Sequence, residues 1–232
     1  MKLSILSAIA LTLMAAFYST AVYGAGMQSD VDQAVNIIQR FDSIPEHSIP
    51  PAVLKDAKGL AILTVFKAGF VFSGRGGKGV VVAKTSRGWS GPSAIGTGGV
   101  GFGLQIGGQV TEFVLVLNTY DAVRAFSREG NVVLGGDLSV AAGPIGRSAE
   151  VGVTPVAAVY TYSISQGLFA GASLEGTVVM TRDEANTEYY GRPVSPRMIL
   201  AGNIAPPPTA HRLAKVLAEA ESGRCGEMLA CR

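Results

Sequence analysis

The sequence predicts an α+β domain, mainly an antiparallel β-sheet, sandwich or partly closed barrel, with short flanking helices at both chain ends. Three observations carry this. Short β-branched runs divided by glycine fill the middle of the chain, at 60–66, 69–73 and 79–85. Apolar residues at helical spacing gather toward the ends. Strand patterns do not alternate regularly with long helical ones, which excludes a doubly wound parallel sheet.

Residues 1–24 have the layout of a secretory signal peptide. Met1-Lys2 is a basic start, an apolar stretch runs to Phe17, and small residues surround Val22-Tyr23-Gly24-Ala25. An uncleaved anchor is the competing reading, since no charge lies between Leu3 and Met27. A cleaved leader implies an exported protein, periplasmic or extracellular, peripheral to a membrane. The rest divides most simply into a single domain, 28–222, and a C-terminal tail, 223–232.

Within the domain, Ser29-Asp30 caps a helix whose stripe is Val31, Ala34, Val35, Ile38 and Phe41. Pro50-Pro51 opens a second short helix that ends before Gly59. Further strands are expected at 110–117, 156–164, 168–172 and 176–181. Asn118 is the expected cap of a helix over 119–127, and 183–190 and 196–201 read as two more. After Pro206-Pro207-Pro208, Thr209 caps a final helix with the stripe Leu213, Val216, Leu217 and Ala220.

Composition removes several function classes. The apolar fraction of 48% excludes disorder, and a net charge of +2 is too small for an ordinary nucleic-acid binder. Cys225 and Cys231 are too few for a disulfide scaffold; in an exported chain they pair into a small loop or stay free thiols. The small net charge hides blocks. Residues 55–111 hold seven basic side chains, Lys55, Lys58, Lys67, Arg75, Lys78, Lys84 and Arg87, against Asp56 alone. Residues 25–54 and 112–191 are acidic overall. Either the basic block faces an anion, or distant acidic segments fold back against it.

Fourteen glycines fall between Gly69 and Gly108. Gly74-Arg75-Gly76-Gly77-Lys78-Gly79 and Gly96-Thr97-Gly98-Gly99-Val100-Gly101 both spell G-x-G-x-x-G. That fingerprint holds a pyrophosphate only where it opens a helix, and Val80-Val81-Val82 reads as strand. Two readings stand for 74–79: a turn whose N–H groups, with Arg75 and Lys78, cradle a phosphate, or glycines that permit close strand packing. The second is the reading for 96–108.

No catalytic constellation is present. His47 and His211 lack a neighbouring nucleophile or carboxylate cluster, and H-E-x-x-H, C-x-x-C and G-x-S-x-G are absent. Tyrosines 160, 162 and 190 read as packing residues. An enzyme is not expected, nor a metal or other cofactor.

The order of motifs resembles the SYLF lipid-binding domain family, also described as actin-binding. It starts at Ile49-Pro50-Pro51-Ala52-Val53-Leu54 and Ala57-Lys58-Gly59-Leu60-Ala61. It continues through Phe66-Lys67-Ala68-Gly69-Phe70, Ser73-Gly74-Arg75-Gly76 and Trp89-Ser90-Gly91-Pro92-Ser93. Later matches are Phe113-Val114-Leu115-Val116-Leu117-Asn118, Leu138-Ser139-Val140-Ala141-Ala142-Gly143-Pro144 and Gly167-Leu168-Phe169-Ala170-Gly171. The signal peptide makes it similar to the exported bacterial-type members.

The resemblance implies a non-enzymatic domain that binds anionic phospholipid, phosphoinositide-like head groups among them, at a membrane surface. Basic residues would make the contact: Arg75, Lys78, Lys58 and Lys67, supported by Lys55, Lys84 and Arg87. Some members bind actin filaments, but an exported chain would meet no cytosolic actin. The alternative is an envelope structural or protein-interaction domain without direct lipid binding.

Overall fold

In this computed structural model the described residues are 26–128, 131–134, 136–143, 157–167 and 177–223. The proposed signal peptide, Cys225, Cys231, most of the tail and the strand expected at 168–172 lie outside them.

Two very long strands organise the fold. β1 (Gly59–Thr85) has 27 residues and β3 (Ser93–Leu117) has 25. The sequence reading broke both into short pieces, with a loop over much of 96–108. A straight strand of 27 residues would run roughly 90 Å at about 3.3 Å per residue, longer than a domain of this size. The ribbon therefore doubles back. β1 and β3 pair antiparallel from Gly59↔Leu117 to Phe70↔Ile106, then in a shifted register from Phe72↔Phe102 to Val81↔Ser93. One residue of β1 opposes three of β3 at that shift, the excess of a bulge, which bends a ribbon. The second half of β1 then returns along the first. Lys84 N donates to Lys58 O at 2.9 Å, and a Cβ on Gly79 would lie 2.6 Å from Leu63 Cα.

The remaining strands extend this ribbon into a curled, half-barrel sheet of seven strands, ordered β2-β1-β3-β6-β5 along its main path. β2 (Gly88–Trp89) closes a hairpin on the end of β1. β6 (Val159–Gly167) pairs with the second half of β3, and β7 (Val178–Thr181) with the first. β4 (Asn131–Val133) adds to β7; β5 (Val140–Ala142) pairs with β6 in parallel.

Both faces of the sheet are buried, which explains runs such as Val80-Val81-Val82 that do not alternate with polar residues. Leu60, Ile62, Val80, Val82, Val114 and Val116 face one layer of helices. That layer is α1 (Met27–Ser43), α2 (Pro51–Asp56) and α6 (His211–Ser222). Ala61, Leu63, Val81, Phe113 and Leu115 face the other layer, α3 (Tyr120–Ser127) and α5 (Pro196–Leu200). α4 (Asp183–Tyr190) is pinned by the buried Asn186, which accepts from Ala94 N at 2.8 Å. The stripes expected on α1 and α6 are the buried faces of those helices. Each Val, Leu, Ile or Phe so buried contributes about 1.5–3 kcal/mol.

Three helix starts differ from expectation. α1 begins at Met27, so Ser29 and Asp30 lie in its first turn, and Asp30 is drawn inward by cations on the sheet. α3 is capped by Thr119, whose Oγ1 accepts from Ala122 N at 3.1 Å, while Asn118 donates to Ala157 O. Thr209 bonds the Tyr189 hydroxyl at 2.9 Å within a 3-10 turn (Pro208–Ala210), leaving α6 without a side-chain cap.

Candidate functional site

The doubled ribbon splits the seven basic residues into two groups. Both ends of β1 meet at one end of the sheet, and Lys55, Lys58, Lys84 and Arg87 collect there. Lys84 Nζ donates to Lys55 O at 2.7 Å, ion-pairs with Glu221 at 2.9 Å and sits 5.5 Å from the Trp89 ring centroid. Lys58 Nζ donates to Asp56 O at 3.0 Å and stands 5.8 Å from the ring centroid of Tyr120, which is 65% exposed. Arg87 donates to Gly202 O, and Lys55 is exposed in the last turn of α2. Three cations with outward charge and an exposed tyrosine thus share one surface, with Lys84 already neutralised beneath them.

The second group, Lys67, Arg75 and Lys78, lies toward the bend. The offset that sets Lys84 beside Lys58 brings Arg75 level with Lys67. Lys78 is not available as a surface cation. Its Nζ lies 3.1 Å from Asp30 Oδ1, while Arg182 Nη1 holds Asp30 Oδ2 at 2.5 Å. Asp30 itself is 3% exposed. Sequence reasoning missed this triad. It had Asp30 as a cap that would repel an anionic membrane, and nothing local links Asp30 to a residue 152 positions away.

The phosphate-cradle reading of 74–79 is corrected. The segment is extended strand paired residue by residue with 96–100. A cradle of converging N–H groups needs helical and left-handed backbone in succession, which a ladder does not supply. Both G-x-G-x-x-G matches lie inside strands, so here the glycines serve packing. Phosphate contacts in this region would come from side chains.

A second buried carboxylate ties α1 to the sheet. Glu112 on β3 accepts from Gln33 Nε2 at 3.2 Å and lies 3.0 Å from Arg40 Nη1. Burial raises its pKa above the ordinary carboxylate value, and Arg40 offsets only part of the rise. The folded state therefore holds this proton more tightly than the unfolded chain. Its contribution is full below the ordinary carboxylate pKa and is lost as pH rises through the raised value. Glu112→Gln is expected to gain stability relative to the parent between pH 4 and pH 7, read as the difference in urea midpoints. A gap that stays constant with pH would contradict this.

The tyrosines are packing residues as expected. Tyr190 donates to Pro92 O at 2.8 Å, and burial pushes the Tyr162 and Tyr190 hydroxyls well above their ordinary pKa. Among the described residues, no three of His, Cys, Asp and Glu are grouped to hold a metal ion, and no helix is long and apolar enough to cross a membrane.

A family model described as Ysc84, "Las17-binding protein actin regulator", matches residues 98–220. The chain is 54% identical over 201 residues to LAS seventeen-binding protein 3 of Saccharomyces cerevisiae, covering 82% of this chain and 44% of the relative. It is 47% identical over 201 residues to Protein YSC84 of the same organism, covering 82% and 43%. With SH3 domain-containing YSC84-like protein 1 of Homo sapiens it shares 44% over 201 residues, covering 83% and 59%. The chain spans about half the length of the curated relatives it matches.

Proposed function

The chain belongs to the Ysc84 (SYLF) family, and from that premise we propose that it is a non-enzymatic binding domain for anionic phospholipid at a membrane surface. The observation that carries this reading is the end of the sheet where Lys55, Lys58 and Arg87 surround the exposed Tyr120. A cation near an anionic surface gains about 1 kcal/mol, within a Debye length of about 8–10 Å. Tyrosine suits the interface, with an apolar ring and a hydroxyl that stays wet. Phosphoinositide-like head groups, with several phosphates, would engage the same cations together. With residues 1–24 as a cleaved leader, the membrane is an extracytoplasmic one.

The test is co-sedimentation of the full chain with vesicles of phosphatidylcholine alone or mixed with phosphatidylglycerol. Binding is expected only with the anionic lipid. Lys55→Gln, Lys58→Gln and Arg87→Gln together should weaken it about a hundredfold, at about 1 kcal/mol per cation. Lys67→Gln with Arg75→Gln should have the smaller effect. Binding indifferent to lipid charge or to the triple variant would overturn the reading.

A second reading is favoured by the printed descriptions of the family and its yeast relative, which name Las17 binding and actin regulation. On that reading the same surface meets a protein partner of the actin machinery. Sedimentation with actin filaments but not with anionic vesicles would put this reading first.

A further inference from the structure

We propose that the cleft between α1 and the sheet is a binding site for a small uncharged alcohol with a short apolar chain. The cleft encloses about 230 Å³. Its walls are apolar, with Ala34 and Ile37 on α1 and Ile62 and Val110 on the sheet. Phe66, 54% exposed, stands at its rim. The cleft is smaller than the roughly 300–1,000 Å³ of drug-sized sites, which limits it to a short ligand.

The charged groups in and beside the cleft already have partners. Asp30 is held by Lys78 and Arg182, and Glu112 by Arg40. What lacks a partner is hydrogen bonding. Thr64, 7% exposed, lines the cleft, and its Oγ1 has no protein partner. Glu112 Oε2, buried and on the same wall, has the Arg40 charge nearby but no aligned hydrogen bond. Thr64 and Glu112 are directly opposed in the β1–β3 ladder, so both side chains stand on the α1 face, with Cβ atoms about 4.5–5.5 Å apart.

One ligand hydroxyl satisfies both groups, donating to Glu112 Oε2 and accepting from Thr64 Oγ1. An ammonium would compete with Arg40 for Glu112, and a carboxylate would meet Glu112 head on. Each would also bear the desolvation cost of a charge the site does not compensate. A neutral alcohol avoids both, and its carbon chain lies against the aliphatic walls. This inference does not rest on the membrane reading. The cleft lies under α1 toward the bend, and the Lys55, Lys58 and Arg87 surface lies at the other end of β1.

The experiment titrates the full chain with 1-hexanol, hexanoate and hexylammonium by isothermal calorimetry, using the parent, Thr64→Val and Thr64→Ser. Saturable binding of 1-hexanol to the parent is expected, at least tenfold tighter than either charged analogue. Thr64→Val should bind at least tenfold more weakly and Thr64→Ser close to the parent. Without ligand, Thr64→Val should melt at a higher temperature, because it removes a buried hydroxyl without a protein partner. Equal binding by Thr64→Val, preference for either ion, no saturable binding, or a lower melting temperature for Thr64→Val would each overturn the proposal.

Discussion

Gly79→Ala is expected to destabilise the domain by about 3 kcal/mol or more, at the upper end for adding one methyl to a packed interior. The new Cβ would lie 2.6 Å from Leu63 Cα and 2.7 Å from Leu63 Cβ. Real Cβ atoms do not sit so close, so something must move. The obstructing atoms are backbone, and that backbone is laddered to β3 from Gly59 to Phe70. It cannot retreat without breaking the ladder. Gly98 is the control, because a Cβ there meets nothing within 4 Å. Gly98→Ala should be neutral, or gain about 0.5–1 kcal/mol because alanine loses less chain entropy in a strand. Equal urea midpoints for the two variants would show that the halves of β1 do not pack as described.

Asp30→Ala is expected to cost about 3 kcal/mol. Removing one member of a buried ion pair typically costs about 3–5 kcal/mol. The lower figure applies because the Lys78 and Arg182 side chains are 40% and 30% exposed and can turn to water. Removing the cations distinguishes a triad from two independent pairs. Lys78→Met leaves Arg182 on the carboxylate, and Arg182→Met leaves Lys78, so each should cost about 1 kcal/mol. The double variant strands a carboxylate that is 3% exposed. Its cost should exceed the sum of the singles by about 1–3 kcal/mol, the usual range for coupled neighbours. Strict additivity would mean that Asp30 is not the shared partner.

The helical face of the fold was legible because its signal is local. Val31, Ala34, Val35, Ile38 and Phe41 repeat with the helix period, and the same spacing exposes the α6 stripe. The sheet was legible in kind but not in extent. Glycines at 69, 74, 76, 77 and 79 interrupt the local strand pattern. What keeps those residues extended is a partner strand whose matching residues lie up to 58 positions away, as in Gly59↔Leu117. The basic block was legible as charge but not as a surface. Contiguity from 55 to 87 suggested one patch, whereas the doubling of β1 sends Lys55, Lys58, Lys84 and Arg87 to one end and Lys67, Arg75 and Lys78 toward the other. Acids from outside the block then take two of its members: Asp30 takes Lys78 and Glu221 takes Lys84. Folding back of distant acids and an outward-facing cationic surface were posed as alternatives, and different lysines follow each.

That division makes the membrane-facing surface a question of position as well as charge. Hydrogen exchange of the full chain, with and without phosphatidylglycerol vesicles, reads position directly. The expected result is slowed exchange confined to 55–58, 84–88 and 119–121, with α4 and β7 unchanged. Protection centred on α4 and β7, or none despite co-sedimentation, would contradict a membrane contact at the Lys55, Lys58 and Arg87 end of the sheet.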